Sequence, residues 1–137
     1  MPGIDICLLE VMSVPGARGA ALVDWTCGLS LGSAGEPPHG EAESAAAEAA
    51  DLARMSVEYG AFRPGGVPGG IEDAVPGGRS DVEDLIVTTR TEYHVLRFVE
   101  TDFDSSVFLH IWLDRDTGNL AVARLRLQDV ARRLVLE

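Results

Sequence analysis

The chain has 137 residues, the usual size of one domain with a single core. Its 22 acids outnumber 11 bases, every base is arginine, and the net charge of −11 speaks against nucleic acid or an anionic membrane as a partner, since both require a basic face. A hydrophobic content of 46% is ordinary for a folded globular domain and too high for a disordered chain.

Ile4, Cys7, Leu8 and Val11 recur at helical spacing and predict a short amphipathic helix over residues 3–12. The segment before Ser13 carries Asp5 and Glu10 but no base, so it lacks the charged start of a secretory signal. No apolar run approaches the ~20 residues of a membrane helix. Cytoplasmic residence is the expectation, and Cys7 and Cys27 are expected to be unpaired thiols. Pro15-Gly16 ends the helix. An apolar run from Gly19 to Trp25 then reverses through Thr26-Cys27-Gly28 into a second strand from Leu29 to Ser33.

Turn residues fill 34–40, and the clearest helix follows from Glu41 to about Tyr59. It is rich in alanine, the best helix former. Ala42, Ala45, Ala46, Ala49, Leu52, Ala53 and Val57 form one stripe of small apolar groups, with Glu41, Glu43 and Glu48 near the amino end. Residues 60–80 hold seven of the 15 glycines together with Pro64, Pro68 and Pro76, which predicts a mobile insertion within one domain.

Asp84 to Thr89 and Tyr93 to Val99 read as a hairpin closed near Arg90-Thr91-Glu92, and Ser105 to Leu113 as a third strand. In this last strand Val107, Leu109, Ile111 and Leu113 alternate with Phe108, His110 and Trp112, so both faces are apolar and it belongs mid-sheet. Asn119 is placed to cap a closing helix marked by Leu120, Ala123, Leu127, Val130 and Leu134. The order α-β-β-α-β-β-β-α predicts an α/β three-layer sandwich, a five-stranded antiparallel sheet with helices on both faces.

Chemistry-bearing patterns are absent. His39, His94 and His110 lie in different segments with no acid or cysteine at ligand spacing, so no metal site is expected. The sequence has no Gly-x-Ser-x-Gly elbow and no Walker or dinucleotide loop, and Cys27 has only Asp24 nearby, which opposes thiolate formation. The pairs Glu83-Asp84, Asp102-Asp104 and Asp114-Asp116 read as turn acids. Neither a catalytic nor a cofactor-binding residue is assigned. Two surfaces remain: the alanine stripe, and an open edge at Leu85 to Thr89 that could merge two sheets across a two-fold axis.

The stretch from Val14 through Gly19-Ala-Ala-Leu-Val-Asp-Trp-Thr-Cys-Gly28 to Ser33, followed by the Ala-rich helix, three strands and the Asn119-Leu120 helix start, resembles the roadblock/dynein light-chain family across nearly the whole chain. The 60–80 insertion is longer than is usual there, and Trp25 with Cys27 stands in place of a more polar turn. The resemblance implies a homodimer formed by the third strand and the Ala-rich helix, through Ala45, Ala49, Leu52, Ala53, Leu85, Ile86, Val87, Thr88 and Thr89. It also implies a non-catalytic bacterial adaptor or regulator of a small Ras-like GTPase, met through Glu41 and Glu48. Arginine without lysine suggests a GC-rich, actinobacterial source. Surface arginines such as Arg63 or Arg79 are the residue type that could reach a partner's phosphates as an arginine finger, although mobile surface arginines are commonplace. The alternative is a metabolite sensor with Trp25, Phe98, Phe108 and Trp112 around a pocket between sheet and helix.

Overall fold

In the computed structural model, residues 3–37, 41–59, 62, 82–99 and 106–136 are described. The 60–80 insertion predicted from composition lies almost wholly outside them, as do Arg63, Arg79 and His39. Helix α1 spans Ile4–Val11, β1 Ala17–Asp24, β2 Leu29–Gly35, α2 Ala42–Glu58, β3 Asp84–Thr88, β4 Glu92–Val99, β5 Val107–Asp114 and α3 Leu120–Leu136. The five strands form one antiparallel sheet in the order β2-β1-β5-β4-β3. This is the predicted α/β sandwich, in the predicted element order.

The two-faced apolar strand sits at the centre, as its pattern requires. Leu109, Ile111 and Leu113 of β5 point to one core, with Leu8 and Val11 of α1 and Leu127 and Val130 of α3. Phe108 and Trp112 point to the other, where Ala46, Ala49, Ala50 and Ala53 of α2 lie against Val23 and Leu96. Methyl side chains let α2 approach the sheet closely, so the alanine stripe packs on its own strands. Asn119 Oδ1 accepts the N–H of Val122 at 3.1 Å and caps α3 as predicted. The β1–β2 reversal turns at Gly28, whose φ of +75° is one that glycine adopts without strain.

Strand β1 starts two residues before and ends one residue before its predicted bounds, and β2 ends two residues after its own. Strand β1 starts at Ala17, because a bulge between Ala17 and Gly19 breaks the alternation a pattern search follows. Strand β2 runs on to Gly35, pairing Ala20 with Ala34 and Gly19 with Gly35. Gly19 lies so close to the Trp112 ring and the Glu36 carbonyl that a Cβ there would collide with both.

Candidate interaction surface

Helix α2 is short of covering its face of the sheet. Its contacts are mainly with β1 and β2, and among the described residues an open groove of about 270 Å³ remains between it and the β4–β3 side of that face. Ala45, Ala49 and Leu52 form the helix wall, and Leu96 of β4 and Val87 of β3 form the sheet wall. Glu48 stands at the rim, and Thr89 closes the end beyond β3. Beyond the groove β3 is the last strand of the sheet, with Ile86 and Val87 both 39% exposed. Leu52, Met55 and Tyr59 continue the apolar exposure along α2.

The residues expected to form an interface are thereby divided among different environments. Ala45, Leu52, Val87 and Thr89 line the groove. Ile86 and Thr88 lie on the open edge strand and are exposed. Ala49 and Leu85 are shared between the groove or edge and the α2-side core. Ala53 is fully buried against its own sheet, where it offers no free surface. Glu41 sits in extended backbone at the start of α2, exposed and making no side-chain cap.

The groove floor is polar in a way the sequence did not reveal. His94 Nδ1 lies 3.0 Å from His110 Nε2, so the two rings share one hydrogen-bonded proton. The His110 ring also rests on Trp112, centroid to centroid 4.8 Å. Burial, reinforced by the neighbouring His94, pushes His110 down to about 3, so it is neutral near pH 7. On its other side His94 Nε2 stands 3.6 Å from Glu92 Oε1, and Glu92 Oε2 accepts from Arg18 Nη1 at 3.0 Å. Arg18 in turn reaches Glu36, whose backbone carbonyl accepts the Trp112 indole N–H at 2.8 Å.

Glu92, which the sequence pattern places in the hairpin turn, is only 1% exposed. It is the first residue of β4, and its phase with His94, Leu96 and Phe98 is the signal that places it on the α2 side. Among the described residues no cluster of three His, Cys, Asp or Glu side chains could hold a metal ion. Phe98, Phe108 and Trp112 pack into the core, with Trp25 against it, and the cavity beside Trp112 is about 40 Å³, roughly one water's room. Of the aromatic residues expected around a ligand pocket, Phe98, Phe108 and Trp112 are therefore core residues, and Trp25 is partly buried against them.

The sequence matches no protein-family profile, and no curated protein matches it. Solved structures do match in shape. A roadblock/LC7 domain from Streptomyces avermitilis superimposes with a TM-score of 0.71 at 17% identity, over 96% of this chain and 93% of that one. MglB of Myxococcus xanthus gives 0.69 at 18% identity, over 96% and 94%. The gliding protein MglB of Thermus thermophilus gives 0.70 at 15% identity, over 98% and 91%. The chain has the roadblock/LC7 fold. Within that fold its structural neighbours include the MglB proteins.

Proposed function

We propose that the protein is a non-catalytic homodimeric adaptor that regulates a small Ras-like GTPase in a bacterial signalling system. One observation carries the first half of this reading: an apolar groove and an open strand edge lie side by side. An occupant that fills the groove and also completes the edge must bring a helix and a strand in the same relation. A second copy of α2 and β3 is such an occupant, and the small side chains of Ala45 and Ala49 permit close approach of a helix. The shared fold with MglB proteins supports the GTPase half, as does the exposed acid of Glu41 and Glu48, which complements a basic partner.

Calorimetric titration of a genomically neighbouring GTPase in its GDP and GTP states tests the reading. Binding in one state, weakened by Glu41→Gln with Glu48→Gln, is the expected result, accompanied by a changed rate of GTP hydrolysis. An absence of heat in both states would overturn the GTPase assignment.

A further inference from the structure

We infer the register in which β3 of one copy meets β3 of a second: antiparallel, with the two-fold axis at Ile86. The inference rests on the self-association proposed above and specifies its geometry. Antiparallel strands alternate between residues whose backbone groups bond inward and residues whose groups bond outward. The N–H of Phe98 donates to the Glu83 carbonyl at 3.1 Å, and the N–H of Thr89 donates to the Glu92 carbonyl at 2.9 Å. With the register Leu85↔Leu96 and Val87↔His94 between them, the odd-numbered residues of β3 are those bonded to β4. The N–H and C=O of Asp84, Ile86 and Thr88 therefore face the open edge. A second β3 must align its own Asp84, Ile86 and Thr88 with these.

Side chains select among the alignments that keep this parity. With the axis at Ile86, the two isoleucines face each other, Leu85 faces Val87 of the second copy, and Asp84 faces Thr88. Apolar groups then meet apolar groups on both sides of the merged sheet, and every outward group from Asp84 to Thr88 finds a partner. With the axis at Leu85, Ile86 faces a carboxylate and Thr88 reaches past the strand start. At Asp84, two carboxylates oppose each other. With the axis at Val87, Ile86 faces Thr88, and Asp84 faces Arg90, outside the strand. Asp84 also holds Arg124 of α3 at 3.1 Å, an ion pair that the Ile86-centred register leaves undisturbed.

Thiol cross-linking tests this in a Cys27→Ser background, since Cys27 is exposed while Cys7 is buried. Ile86→Cys chains treated with a short bis-maleimide should run as covalent dimers. Asp84→Cys and Thr88→Cys chains should each stay largely uncoupled alone and should cross-link at least several-fold more when mixed. Light scattering on the same samples reports whether they associate. Dimers in which Ile86→Cys stays uncoupled, or in which Leu85→Cys or Val87→Cys couples to itself more readily, would overturn the register and leave the dimer standing. Monomers at every concentration would overturn both.

Discussion

His110 and Glu92 are both buried on the α2 side of neighbouring strands, and each meets the cost of burial differently. Glu92 is held by Arg18 and flanked by His94, whereas His110 is neutral and bonded to His94. Because His110 falls to about 3 in the folded chain from 6.5 in the unfolded one, the unfolded state binds the extra proton as pH drops below 6.5. The corresponding stability is fully present above 6.5 and is lost progressively toward pH 3, about 2 kcal/mol of it by pH 5. Urea unfolding at pH 7 and pH 5 should show this loss, and His110→Gln should flatten the dependence; an unchanged slope would contradict it. Removing the carboxylate by Glu92→Gln should cost about 1–3 kcal/mol, read as a lower urea midpoint, because Arg18 and His94 lose their charged partner.

At the scale of elements, α2 shows which parts of the architecture the sequence declares. Its alanine run and the two-faced apolar pattern of β5 were legible, because each is a periodic signal matched to one secondary structure. The open groove was not. Leu52 and Ala53 are adjacent in one stripe, yet Leu52 lines the groove and Ala53 is buried against the sheet, a difference set by where the helix crosses the strands. The Arg18–Glu92–His94–His110 chain was equally hidden, since it joins β1, β4 and β5 across long sequence separations. The same placement predicts two outcomes for one kind of substitution. Ala50→Leu, fully buried under α2, should lower stability by about 1–3 kcal/mol through overpacking. Ala45→Leu, on the groove wall, should act instead through association, read as a changed mass in solution and as an unfolding midpoint that depends more on protein concentration than on overpacking.

At the scale of the molecule, α1 and α3 pack on one face of the sheet, while among the described residues α2 leaves a groove open on the other. That asymmetry, together with the free β3 edge, is the physical basis for reading the protein as half of a two-fold assembly. Among the described residues Phe98, Phe108 and Trp112 fill the α2-side core. Molecular mass in solution, measured by light scattering at micromolar concentration, tests the two-fold assembly most directly. The account predicts twice the 14.6 kDa of one chain, falling to a single-chain mass when Val87→Glu places a charge in the groove. A wild-type mass of one chain across that range would contradict it.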